Sequence, residues 1–380
     1  MTGQADFPCS NCGATLAFSP GAQALVCPSC GTENEVPPMP GPGPWGGEAI
    51  RELDYAKALA DMLAPRDVEE TQILACPSCG AEVAFGRDTL ADECPFCATP
   101  LAKDAARAHR HPKPQAVLPF AVTERDARTK LKDWLGRLWF APTGLKKYAE
   151  SGRPIAGVYV PHYTYDAQGS ARYQGARGDA YYVTKTRTVM VDGQPRQQTY
   201  QERHVRWTPV AGQVQRFFDD VLVPASDTLG ATADRAEAGG RSWDLAGLEP
   251  FRTEYLAGFR AEAPSVALDQ GFTRAEQTME AILRRDVRFD IGGDEQRISD
   301  MATRYDGVTF KHVLLPVWLA AYRWKNKPFR VVINGRTGAV SGERPYSAWK
   351  IAVAVILGIL VAAAIGYVLA QQQGVAPGHY

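Results

Sequence analysis

Hydrophobic positions change period several times along the chain, and each change marks a different expected element. Ile50, Leu53, Leu59 and Met62/Leu63 recur at near-helical spacing, which predicts a short helix at 48–63 within a helical spacer, 48–72. Ala127, Leu131, Trp134, Leu135 and Leu138 share one face of a predicted helix over 123–139, with Thr123 placed as its cap. Residues 272–286 carry the same period. Strand text follows at 155–165, 181–191 and 198–208, with Asp192-Gly193 as the hairpin turn between the latter two. The segment 313–342 reads as strands turning near Asn326-Lys327 and at Asn334-Gly335. Between these, an apolar pair followed by proline recurs at 117–119, 159–161, 222–224 and 314–316. Proline removes a ladder donor, so each is expected at a strand end or edge. Two of these blocks, VYVPHYTY and VLLPVWLAAY, resemble each other. A divergent duplication and shared structural punctuation both account for that, and punctuation is favoured.

The longest apolar run lies at the far end. Ile351–Leu369 has no charge and no proline, and with Ala370 it makes twenty residues, enough to cross a hydrocarbon core of about 30 Å. A transmembrane helix is therefore expected at 348–370, because core helices are rarely apolar on every face for this length. Arg344, Lys350, Tyr346 and Trp349 precede it, whereas the tail 371–380 has no Lys or Arg. The positive-inside rule then places the N-terminal bulk in the cytoplasm and the tail outside. Ala354, Gly358, Ala362, Gly366 and Ala370 form a small-residue stripe suited to pairing with a second copy or another membrane helix, although Ala and Gly are also simply common in such segments.

Composition looks uninformative until it is read by position. The chain of 380 residues balances 42 Lys+Arg against 42 Asp+Glu. Residues 1–100 hold four basic and fourteen acidic residues (4 − 14 = −10), leaving 38 basic and 28 acidic for the remainder (+10). All eight cysteines lie in the acidic part, as Cys9/Cys12, Cys27/Cys30, Cys76/Cys79 and Cys94/Cys97. The spacing is CxxC-x14-CxxC, twice, offset by 67, and Gly13-Ala14, Leu16-Ala17-Phe18 and Pro28 match Gly80-Ala81, Val83-Ala84-Phe85 and Pro95. This is a duplicated module. Two knuckles presenting four thiolates suit tetrahedral Zn²⁺, and about thirty residues cannot fold without such a staple. With no N-terminal signal peptide, a reducing cytosol and metal are expected over disulfides; rubredoxin-type iron is the main rival. Two structural Zn²⁺ ions are thus expected. Each closed site adds negative charge to a segment (1–50) that lacks Lys and Arg, so nucleic acid is a poor fit.

The rest offers little chemistry. Pro37–Gly47 reads as a semi-rigid spacer, and a second linker is expected around His109–Pro114. The basic excess of the large domain suits anionic lipid, with Lys325, Lys327 and Arg330 as the local candidate and a solvated face as the alternative. No Walker motif, nucleophile elbow, zincin or dinucleotide fingerprint is present. His109, His111, His162, His204 and His312 are scattered without ligand spacing, and His379 lies in the tail.

The blocks CPSCG-x-EV (76–83), GVYVPHYTYDA (157–167), YLAGF (255–259) and LLPVWLAAYRWKNKPFRVVINGRTGAVSGERP (314–345) resemble a bacterial family of zinc-ribbon proteins with a C-terminal membrane helix. That family carries labels such as primosomal protein N′ (replication factor Y) superfamily II helicase, or TFIIB-type zinc-ribbon protein. The resemblance spans most of 76–370 and implies that Cys76, Cys79, Cys94 and Cys97 are zinc ligands. It also implies work beside phage-shock-protein-A-like and flotillin-like (SPFH) partners in membrane-stress systems. The helicase label is taken to reflect the zinc-binding segment alone, and the ribbon at 9–30 is an addition to the shorter members.

The expected fold class is therefore α+β: zinc ribbons at 1–36 and 73–104, a linker at 37–47, a mixed cytoplasmic domain at 105–345 and one C-terminal transmembrane helix. The leading functional expectation is a non-enzymatic adaptor at the cytoplasmic face of the bacterial inner membrane. The second is a membrane-tethered nucleic-acid-associated factor, and the third an enzyme with an unrecognised site in 115–345.

Overall fold

The computed structural model describes residues 7–36, 50–84, 91–97, 99–102, 106–139, 155–191, 194–229, 243–324, 327–343 and 347–374. The first cysteine module forms β1 (Ala17–Ser19), β2 (Ala24–Val26) and β3 (Glu33–Asn34), antiparallel in that order. Next come β4 (Leu53–Asp54) and a five-residue helix α1 (Tyr55–Leu59), capped by the Asp54 side chain. The second module comprises β5 (Val68–Ala75), β6 (Glu82–Ala84), β7 (Ala91–Glu93), β8 (Pro100–Ala102) and β9 (Arg107–Pro112). Two expectations need correction here. The spacer 48–72 is not mainly helical, because Leu53 pairs opposite Phe310 of the large sheet and Val68 already opens a strand. The linker around His109–Pro114 is instead mostly β9, whose backbone completes the order β6–β5–β9. The proline-rich 37–47 lies outside the described residues.

The body contains β10 (Ala116–Val117), α2 (Glu124–Arg137), β11 (Ala156–Val191), β12 (Gln194–Pro224), β13 (Glu249–Pro250), β14 (Arg260–Ala261), α3 (Leu268–Ile291), β15 (Glu295–Trp324), β16 (Lys327–Asn334), β17 (Val340–Gly342) and α4 (Ala348–Gly374). α2 starts where expected, Thr123 Oγ1 accepting from the Asp126 N–H at 3.2 Å. The strands are much longer than the sequence suggested: β11 has 36 residues, β12 31 and β15 30. β11 lies between β12 and β15, antiparallel to both, and beyond Gly178 only β11 and β12 continue as a projecting hairpin. Val191 pairs with Gln194, so the turn falls at 192–193, outside the described residues. The turn at 325–326 is likewise undescribed, while Asn334 makes its expected turn by accepting from the Arg336 and Thr337 N–H groups at 2.8 and 2.9 Å.

Of the recurrent prolines, Pro224 closes β12 and Pro119 follows the end of β10 by two residues. Pro161 and Pro316 lie inside β11 and β15, each where one flank of its strand changes partner: β14 to β12 beside Pro161, β10 to β16 beside Pro316. No continuous ladder is interrupted. The two similar blocks run side by side, Tyr159 opposite Pro316, so they share one environment.

Period-2 alternation on β11 and β15 sorts the core into two faces. Val158, Val160, Val313, Leu315, Val317 and Leu319 bury on one side with Leu74, Val83 and Phe96 of the second module. Tyr159, Leu314 and Trp318 bury on the other with Leu16, Phe18 and Leu25 of the first module and with Leu131 and Leu135 of α2. Further along this second face, α3 lays Ala275, Met279, Leu283, Val287 and Ile291 over Tyr163, Tyr165, Tyr173 and Phe310. Those helix positions are at most 3% exposed, and each large one is worth about 1.5–3 kcal/mol of burial. α3 thus exceeds the expected 272–286 by several residues at both ends.

α4 stands apart. Trp349–Leu369 is apolar, with none of its most apolar window buried, and is long enough to cross a membrane. The helix continues through Gly374, so the start of the expected tail is helical; 375–380 lie outside the described residues.

Candidate metal centres

Three of the four knuckles share one backbone turn. The N–H of Gly13, Gly31 and Gly80 returns to the carbonyl of Cys9, Cys27 and Cys76, at 2.9 Å in each case. All three glycines have φ between +73° and +75°, a backbone state that costs residues with a Cβ. The fourth knuckle has Ala98 at this position, outside the described residues. The tight turn leaves N–H groups pointing at sulfur: Asn11 N–H approaches Cys9 Sγ at 3.4 Å. Sequence spacing picked out the cysteines that converge; the glycine after each of three knuckles was the available signal for this backbone cradle.

The eight cysteines converge as two groups, Cys9/Cys12/Cys27/Cys30 and Cys76/Cys79/Cys94/Cys97, with all sulfurs of a group within 4.8 Å of one another. Cys9–Cys30 and Cys12–Cys27 sulfurs are 3.6 and 3.5 Å apart, Cys76–Cys97 and Cys79–Cys94 3.5 and 3.6 Å. A disulfide requires about 2.05 Å, whereas sulfurs about 2.3 Å from a tetrahedral ion stand about 3.8 Å apart. The donor set therefore fits a tetrahedral thiophilic ion such as zinc, held by four thiolates per centre. Thr32 and Thr99, two residues after the last cysteine of each module, place hydroxyls 3.1 and 3.2 Å from Cys30 and Cys97 Sγ. This second repeated feature was not read from the sequence.

Acidity varies within the groups. Cys30 is drawn down to about 5, first by the Thr32 hydroxyl, and Cys79 to about 5, first by the Cys94 thiol. Cys94 is pushed up by Cys79 and by burial. Four thiolates cannot coexist at this spacing without a dication, so metal binding must release protons. The centres also differ in access: Cys12 and Cys30 are exposed, whereas Cys76, Cys94 and Cys97 are buried and Cys79 intermediate. A groove of about 700 Å³ lies between the modules at the sheet margin, lined by Pro28 on one side and Cys94 and Pro95 on the other.

Two polar clusters escaped sequence reasoning. Asp166, Asp219 and Asp220 lie close enough to hold an ion, but the Lys311 ammonium already pairs with two of them, 2.6 Å from Asp220 and 3.8 Å from Asp166, and lies 3.3 Å from Glu52. Burial and the Glu52 carboxyl push Asp166 up to about 7. The histidines are not all scattered either: the His111 ring lies 5.5 Å from His109 and 5.8 Å from His312. His312 is 1% exposed, and its Nδ1 donates to the Pro112 carbonyl at 2.8 Å. Of the basic trio, Lys325 is undescribed, Lys327 opens β16, and Arg330 turns inward to donate to the Thr228 carbonyl.

No family model matches the chain, and no solved structure matches it. Over 355 residues it is 24% identical to "Uncharacterized protein YdjG" of Bacillus subtilis (strain 168), covering 91% of this chain and 92% of that one. The chain is thus similar over nearly its whole length to a bacterial protein of matching size.

Proposed function

We propose that this protein is a membrane-anchored zinc-ribbon adaptor, non-enzymatic itself, standing at the cytoplasmic face of the bacterial inner membrane. The observation that carries this reading is the placement of two four-cysteine groups on opposite faces of one sheet whose chain ends in an exposed apolar helix. Four thiolates complete a tetrahedral ion and leave no position for substrate, so such centres shape surfaces instead of reacting. The acidic head favours protein partners over phosphate backbones. Work in membrane-stress systems beside phage-shock-protein-A-like or SPFH proteins follows from the resemblance alone.

The test is affinity capture of the full chain from detergent-solubilised membranes, with parallel fractionation and a reporter at each terminus. Specific protein partners, lost when Cys76 and Cys79 are replaced by serine, would support the reading. A soluble protein or an external N-terminus would sink it. Binding of the zinc-loaded chain to DNA with a steep salt dependence would instead favour a nucleic-acid-associated factor.

A further inference from the structure

Trp139, two residues after the end of α2, is 82% exposed although its neighbour Leu138 is buried in the core shared with the first module. It is not isolated. Lys350 Nζ, in the first turn of α4, donates to the Trp139 carbonyl at 3.2 Å, and Trp349 beside it is 75% exposed. Two bare indoles thus flank the point where the apolar helix leaves the body. Water is a poor place for them, whereas the layer between headgroups and acyl chains favours an indole, which has an apolar body and a polar N–H. On the exposed side of the last two turns of α2, Lys132 and Arg137 outnumber Asp133.

The opposite end of the molecule is far away. β17 pairs Gly342 with Val331, which in turn faces Ala320 of β15, so α4 departs near that level. β15 runs back from Ala320 to Glu295, opposite Gly178, where the hairpin begins. Those 320 − 295 = 25 residues and the further step to Lys185, partner of Tyr200, give a strand path on the order of 100 Å.

We infer that the C-terminal corner of α2 is a lipid-contact surface: Trp139 sits with Trp349 in the headgroup layer of an anionic bilayer, and the β11–β12 hairpin is held remote from it. The inference rests on α4 spanning the membrane. This fixes the body to the bilayer at two points instead of letting it swing from one helix.

The test uses the full chain reconstituted in phosphatidylcholine–phosphatidylglycerol vesicles whose phosphatidylcholine carries brominated acyl chains. A fluorescent amino acid replaces Trp139, Trp349 or Tyr200, one at a time, all three being solvent-exposed in the fold. Emission should be strongly quenched at 139 and 349 and unchanged at 200. Quenching at 349 without quenching at 139 overturns the contact surface while leaving the anchor intact. Quenching at 200 overturns the orientation, and an unquenched 349 removes the anchor itself and the inference with it.

Discussion

Tyr159 and Val160 are covalent neighbours whose side chains enter different cores, Tyr159 with the first cysteine module and Val160 with the second. One sheet therefore carries both modules without letting them share a hydrophobic contact surface. Truncations on the two faces should have separate footprints. Tyr159→Ala should cost about 3–5 kcal/mol and Leu315→Ala about 2–5 kcal/mol. Amide exchange should rise in β1, β2 and 255–259 for the first, and in β5 and β6 for the second. Equal loosening of both modules by either variant would contradict the two-faced arrangement.

Metal release should be biphasic. With Cys12 and Cys30 exposed and the second group largely buried, a chelator should empty the first centre well before the second. The native chain should hold about two zinc ions, and Cys30→Ser should remove the fast phase only. Colorimetric release with metal analysis reads this directly. A single phase, or iron in place of zinc, would refute it.

Gly271 lies in α3, where alanine would normally gain about 1 kcal/mol of helix propensity. Here an added Cβ would sit 2.7 Å from the Tyr165 hydroxyl and 3.0 Å from the Tyr163 ring. That hydroxyl donates to the Leu268 carbonyl at 2.8 Å and cannot retreat without losing the bond. Gly271→Ala should destabilise by about 1–3 kcal/mol. A thermal-unfolding midpoint that rises would show that the helix stands farther from the sheet.

His312 should make stability acid-sensitive. Burial, with His111 beside it, pushes its pKa down to about 3, from about 6.5 in an unfolded chain. Below pH 6.5 the unfolded chain binds a proton that the folded one refuses, so stability falls as pH drops from 6.5 toward 3. At pH 5 the loss from this group is about 2 kcal/mol. Asp166 acts oppositely over about pH 4–7, its raised pKa favouring the folded form at the acid end. Comparing native and His312→Gln chains isolates the histidine: the variant should start less stable at pH 7 but lose less on going to pH 5. Parallel pH profiles would remove His312 as the cause.

The two four-cysteine groups were legible because tetrahedral coordination demands a fixed local spacing, and CxxC-x14-CxxC states it within one segment. α2 was legible through its apolar period and its threonine cap. The long strands were not. Residues 166–180, DAQGSARYQGARGDA, lack alternating bulky positions, and their extended state comes from pairing on both flanks, as Gln168 does with Phe217 and Asp306. β9 reads as linker, RAHRHP, because its place is set by backbone bonds to β5 and not by apolar side chains. His111 and His312 are about two hundred residues apart, and no local period joins them.

The distances between partners along the chain impose an order on assembly. The Phe18 N–H bonds to the Ala257 carbonyl, and Leu53 pairs with Phe310, so the first hundred residues find their seats only after some 240–260 more have been made. The cysteine modules close on their own short segments and can capture metal early; β11 and β15 must pair before either module has a surface to land on. Ion availability thus acts at the beginning of synthesis and sheet closure near its end. A chain starved of metal would leave bare the parts of each sheet face that the modules cover, while α2 and α3 still shield the rest of one face; such a state is prone to aggregation and a natural target for proteolysis.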